Sequence, residues 1–160
     1  MTLLLRKHSG WFLSLIFPLL LSLSSCTEIR LIGAYDQTVD ESIQKISKDV
    51  STLLVEIKKN ITDGRAAANN YADFRARYTA IEGEIETLRI RCGALAKYHI
   101  IQKQVDELAA NIRRLEAFHK TGFTSIEPAE QIQKNFETAF TAMIALQNAL
   151  KREKADRTEK

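Results

Sequence analysis

The sequence predicts an all-α protein: an antiparallel bundle of three to four long helices, with four preferred. Three observations lead there. Beyond residue 25 no stretch alternates apolar and polar residues as a half-buried strand does; apolar residues recur instead at steps of three and four. Pro128 is the only proline in that part of the chain, so long helices meet no interior breaker. The apolar stripes come in runs of about 25 residues, roughly 37 Å each, and matched lengths with short links favour antiparallel neighbours.

The chain opens on Arg6 and Lys7, an apolar run from Trp11 to Leu23, and the tetrad Leu23-Ser24-Ser25-Cys26. A basic start, a short apolar core and a small-residue end define a secretory signal over residues 1–25. A membrane span needs about 20 apolar residues. Trp11 to Leu23 is shorter and is interrupted by Ser14 and Pro18.

The closing tetrad resembles the lipobox of bacterial lipoproteins. That resemblance implies cleavage between Ser25 and Cys26, a thioether-linked diacylglycerol on Cys26, and a further acyl chain on its amine. Each buried methylene contributes about 0.8 kcal/mol, and two chains hold stably where one holds marginally. Lipoproteins of enteric-type bacteria that carry aspartate after the cysteine stay at the inner membrane. Thr27 stands there, so the resemblance points to the inner leaflet of the outer membrane, with the body in the periplasm.

Charge excludes one class of partner. Of 23 basic residues, Arg6 and Lys7 belong to the leader, which leaves 21 against 20 acidic residues and a balance of +1. Nothing in that balance calls for nucleic acid. Once Cys26 carries lipid, Cys92 has no partner for a disulfide. It lies in phase with apolar neighbours, as a buried small hydrophobe does.

Residues 26–35 read as a lipidated tether whose Ile29, Leu31 and Ile32 are apolar enough for part of it to pack on the body. The bundle domain spans 36–150. Asp36 or Thr38 can cap a first helix, and Thr38 with Glu41 reads as a capping box. Val39, Ile43, Ile46, Val50, Leu54, Ile57 and Ile61 then form one stripe, while Glu41, Lys45 and Asp49 alternate in sign on the other face. Gly64 offers a left-handed stop.

A second stripe starts after Ala66 and runs Tyr71, Phe74, Tyr78, Ile81, Ile85, Leu88, Cys92 and Leu95, with Asp73 and Arg77 spaced as an i,i+4 pair. Gly83 is an interior cost of about 1 kcal/mol relative to alanine unless it admits a close neighbour. Leu95, Tyr98 and Ile101 are then separated by two successive steps of three, which rotates the stripe. Such a slip marks either an overwound helix or a break within 93–100. The break is preferred, because one unbroken helix would leave the first and last helices packed on different halves of it.

Val105, Leu108, Ile112, Leu115 and His119 continue the third stripe. Residues 119–127 form a loop in which Gly122 supplies the turn and Ser125 or Glu127 the next cap. Pro128 fits the first turn, where a missing amide costs nothing. The last stripe reads Ile132, Phe136, Ala139, Phe140, Met143, Leu146 and Leu150, and the charged residues 151–160 read as a frayed tail.

The search for chemistry finds no phosphate-binding glycine loop, no His-Glu-x-x-His and no Gly-x-Ser-x-Gly. Glu116 and His119 have the Glu-x-x-His spacing of di-iron bundles, which need two such motifs and two further glutamates. Only one is present, and His119 at a helix end is read as complementing the terminal carbonyls. No catalytic residue, cofactor or metal ligand is therefore assigned, and the expectation is a protein that is not an enzyme. Glu82, Glu84 and Glu86 with Arg89 and Arg91 read as a solvated face, with an anionic headgroup or peptide patch as the sharper alternative. Tyr71, Phe74 and Tyr78 read as core before they read as an aromatic platform.

Two wider resemblances remain. Ala34-Tyr-Asp36 and the stretch Leu115 to Phe123 are similar to segments of small helical lipoproteins of Gram-negative bacteria, a resemblance that carries over no activity. Secretion pilotins are similar in being small, lipidated and helical, but the disulfide of one pilotin type is absent. The expected role is a non-catalytic binding or scaffold protein, anchored to the membrane by lipid and engaging an envelope protein through a helix groove. The alternatives are an exclusion or inhibitor lipoprotein acting against a phage, plasmid or hydrolase, and a pilotin-like secretion chaperone.

Overall fold

The computed structural model describes residues 32–159. The expected leader, the expected cleavage at Ser25, the expected lipidation of Cys26 and the expected tether through Leu31 fall outside the described residues.

Helix α1, Gln37–Thr62, starts at Asp36, whose carboxylate accepts the Val39 amide at 3.0 Å. Of the two candidate caps, Asp36 is the one used. The helix ends at Asp63 and Gly64, and Gly64 takes the left-handed φ of 70° that only glycine adopts without strain. Helix α2, Tyr71–Ala94, begins later than the sequence suggested. Ala66–Ala68 form a single 3-10 turn, and Asn70 caps α2 by accepting the Ala72 amide at 3.2 Å.

The predicted break falls within 93–100: α2 ends at Ala94 and α3, His99–Thr121, begins five residues on. Gly93 stays helical, and the reversal is made by Lys97 at φ 63°. Gly122 at φ 94° and Ser125 turn the chain into α4, Ile126–Thr158, with Pro128 in its first turn.

Each helix buries one stripe. Consecutive helices pack side by side, α4 returns to pack on α1, and diagonal pairs do not meet, which makes a four-helix bundle. The seams differ: α2 with α3 and α1 with α4 are closely packed, whereas α3 and α4 meet sparsely. The core runs through Ile43, Ile46, Leu54, Tyr78, Leu88, Ile101, Leu108 and Ile112, all nearly inaccessible. None of the described helices is long and apolar enough to cross a membrane.

Four details depart from the sequence reading. Gln147, not Leu146, occupies the core position of α4; Leu146 is only partly buried. Leu53 joins the core beside Leu54, and Asn60 is buried where the stripe ran to Ile61. Helix α4 extends to Thr158, past the expected domain end at 150, with a side-chain pair between Arg157 and Glu153 one turn apart. Gly83 follows one of the two readings the sequence left open: open space surrounds it, and it admits no close neighbour.

Candidate functional site

Three regions are built with enough chemistry to matter: a buried polar cluster at one end of the bundle, a strap at the other, and a groove along the loose seam.

The cluster centres on His119, which is 1% exposed at the last turn of α3. Its Nε2 lies 3.0 Å from the Asn69 carbonyl, which can only accept, so Nε2 carries the proton. Its Nδ1 lies 3.0 Å from the Tyr78 hydroxyl. Burial lowers the imidazole's proton affinity, and the Asn69 carbonyl only partly offsets this. His119 is therefore a neutral ring, and Nδ1 accepts the Tyr78 proton. Burial also pushes the Tyr78 hydroxyl well above its ordinary range. Asn69 closes the network: its side chain donates to the Ile57 carbonyl at 2.9 Å and accepts from Asn60 at 2.9 Å. One residue of α3 thus ties the end of α1, the α1–α2 link and the second turn of α2.

Phe74, Tyr78 and Phe123 enclose the imidazole at ring distances of 4.9, 5.7 and 5.2 Å. Phe74 and Tyr78 of α2 are thus core, as the sequence favoured, and Tyr71 packs against them partly buried. The account of His119 as a cation complementing its helix terminus is corrected: the ring turns inward to Asn69 and Tyr78, and burial keeps it neutral. Glu116 does not join it. Its carboxylate accepts the Tyr71 hydroxyl, which, ahead of the opposing effect of burial, holds it below the usual carboxylate range, and it pairs with Lys120 at 3.1 Å. His99 is exposed at the start of α3. Among the described residues no three His, Cys, Asp or Glu side chains converge as metal ligands would. Cys92 is buried and free, and burial pushes its thiol up to about 11, which suppresses thiolate reactivity.

At the opposite end, residues 32–36 form a strap. Gly33 donates its amide to the Lys97 carbonyl at 3.0 Å, and the Tyr98 hydroxyl donates to the Ala34 carbonyl. Gly33 lies flat against Tyr98: a Cβ there would sit 2.3 Å from the ring. Tyr35 donates to Asp40 at 2.9 Å, and Lys151 and Lys154 lie over its ring at 5.9 and 5.5 Å. Burial raises the Asp36 carboxyl, but hydrogen bonds from Arg91, at 2.6 Å, and from the Val39 amide outweigh it and hold the group below its usual range. Sequence reasoning foresaw that the tether would pack, but not that it would do so on the reversal between α2 and α3.

Several of the α2 charges pair with neighbours. Glu84 takes Lys45 of α1 at 2.9 Å, and Arg89 takes Glu86 at 2.9 Å and Asp106 of α3 at 2.7 Å. Arg77 reaches Glu56 of α1, in addition to lying over Phe74, so the expected pair with Asp73 gives way to an interhelical one. These contacts favour the solvated-face reading of the cluster.

The groove follows the sparse seam. Asn111, Arg114, Leu115 and Phe118 of α3 face Ile132, Asn135 and Phe136 of α4 across an open trough of about 360 Å³. Its α3 lining recurs at i, i+3, i+4 and i+7, the spacing of one helix face. Phe118 remains 36% exposed there, and Arg114 donates to Asn111 at 2.9 Å on the rim. Depressions on the other seams, of about 290 and 200 Å³, are lined mostly by charged and small residues.

Compared with protein-family models, with curated proteins and with solved structures, the chain matches none.

Proposed function

We propose that this protein is a lipid-anchored lipoprotein of the bacterial envelope that acts as a non-catalytic binding or scaffold protein, taking a helix of an envelope partner into the α3–α4 groove. The observation that carries the reading is the groove itself. It combines an apolar floor of Leu115, Ile132 and Phe136, an exposed aromatic at Phe118 and a polar rim of Asn111, Arg114 and Asn135. An amphipathic helix laid along such a trough buries its apolar face and leaves its polar face to water. The other polar chemistry supports a structural role. His119 has both nitrogens engaged inside the core, and the carboxylate nearest it serves Tyr71 and Lys120. The lipobox at residues 23–26 supplies the address: Ser25 and Cys26 flank the cleavage, and Cys26 carries the acyl chains.

Position-specific photocrosslinking in intact cells tests this. A photoreactive residue at Phe118 or Asn135 should give one shared adduct, absent when the probe replaces Val55, which is exposed on α1. Identical adducts at all three positions, or none in the groove, contradict the reading.

A further inference from the structure

The strap fixes which end of the bundle meets the bilayer. This inference rests on the reading of Cys26 as the lipid anchor and goes beyond it to a surface and its ligand. From Cys26 to Ile32 there are six residue steps, which span at most about 21 Å fully extended. From Gly33 onward the chain is held: to Lys97 and Tyr98 through Gly33 and Ala34, to Asp40 through Tyr35, and to Arg91 through Asp36. The α2–α3 reversal and the C-terminal turns of α4 therefore lie within that reach of the headgroups. The His119 end lies away from the strap by the length of α3, 23 residues or about 35 Å.

The near end has the chemistry for an anionic surface. Helix α4 passes Tyr35 at Lys151 and Lys154 and continues to Thr158, so its last turn projects beyond the strap. Lys97, Lys151, Arg152 and Lys154 are all exposed there. Residues 151–160 carry five basic and three acidic side chains. Of the nearest carboxylates, Asp36 is paired with Arg91, whereas Asp40 and Glu41 accept only from the neutral Tyr35, Gln44 and Gln37 and keep their charge, so the local surplus is small. Such a surplus would hold a free protein weakly. A covalent anchor changes the arithmetic, because a second contact becomes intramolecular at a high effective concentration. The tether also keeps these charges where a surface potential, which fades within about 10 Å at moderate salt, still acts over part of its reach.

We propose that the strap end, through Lys97, Lys151, Arg152 and Lys154, is a docking face for anionic phospholipid headgroups. The bundle then stands on the membrane with the half holding the α3–α4 groove pointed away from it.

The test uses the acylated protein purified from membranes and reconstituted into vesicles of phosphatidylcholine, with or without phosphatidylglycerol. A fluorophore is placed on a cysteine introduced at Ala155 or at Thr121, since acylation blocks Cys26 and Cys92 is buried. Headgroup spin labels then quench it. Dye at 155 should be quenched at least about twofold more in phosphatidylglycerol vesicles, and the excess should vanish in high salt. It should also vanish in K97E/K151E/K154E protein of unchanged helicity, while dye at 121 stays little quenched throughout. Equal quenching at 155 with and without phosphatidylglycerol, or stronger quenching at 121, overturns the proposal. A chain that does not float with the vesicles overturns the lipid anchor itself, and this inference with it. A chain that floats with dye at 155 indifferent to lipid charge leaves the anchor standing and removes only the orientation.

Discussion

The two ends of this bundle are closed by opposite chemistry. At the His119 end the closing groups are polar, buried and mutually satisfied: Asn60, Asn69, Tyr78 and His119 sit in the core with every contact internal. At the strap end the closing groups are the buried Tyr98, the partly buried Tyr35 and a surface ion pair around a backbone that lies flat on the Tyr98 ring. A buried network is unforgiving, since removing one member strands the others without water. A surface latch tolerates loss, because water replaces what is removed. The difference teaches that the far end should hold most of the local stability and the near end most of the tolerance.

The sharpest way to break the comparison is His119→Ala. It opens a cavity among Phe74, Tyr78 and Phe123 and strands the Tyr78 hydroxyl and the Asn69 carbonyl. Chemical denaturation should show a loss of about 3–5 kcal/mol. The same residue sets a pH signature. Its folded-state proton affinity is depressed, so below the ordinary imidazole value of 6.5 the unfolded chain binds a proton that the folded chain refuses. Stability should be full above that value and fall as pH drops, by at most about 1.4 kcal/mol per pH unit, until the depressed folded value is reached. In His119→Gln this slope should be absent; an unchanged slope would assign it to another group.

Gly33→Ala probes the strap. The added carbon collides with Tyr98 and with the Ala96 carbonyl, 2.8 Å away, neither of which can yield easily. A loss of about 1–3 kcal/mol is expected, with faster amide exchange confined to residues 33–36 and 96–98. Exchange that accelerates across all four helices would show that the latch is not local.

Gln147 sharpens the contrast from the core side. It is 1% exposed, and neither end of its amide has a hydrogen-bond partner among the described residues. Gln147→Met keeps the length and removes the orphaned amide, so it should stabilise by about 1–2 kcal/mol. The smallest effect is expected at Lys97, whose left-handed backbone glycine would adopt without strain. Lys97→Gly should change stability by no more than about 1 kcal/mol, in the stabilising direction.

Much of this architecture was legible because helices announce themselves by period. The stripes of α1, α2 and α3 predicted their buried faces closely, and two short steps around Tyr98 located the reversal. Gly64, Gly122 and Pro128 marked ends by backbone chemistry that no other residue shares. The misses have physical causes. Steps of three and four are both helical, so apolarity chose Leu146 where geometry buries Gln147. The charge-rich residues after Leu150 gave no apolar period to mark the further turns of α4, where Glu153 and Arg157 pair locally. Asn60 and Asn69 gave no signal, because a buried amide is recognised only by the partner that folding brings to it. The groove was equally silent: a stripe says which face is buried, not how closely the neighbouring helix approaches.

Mass spectrometry of the protein extracted from native membranes tests the central claim most directly. The account predicts a chain that begins at Cys26 and carries a diacylglycerol on its sulfur. A chain that still begins at Met1, or a bare thiol at Cys26, would contradict it.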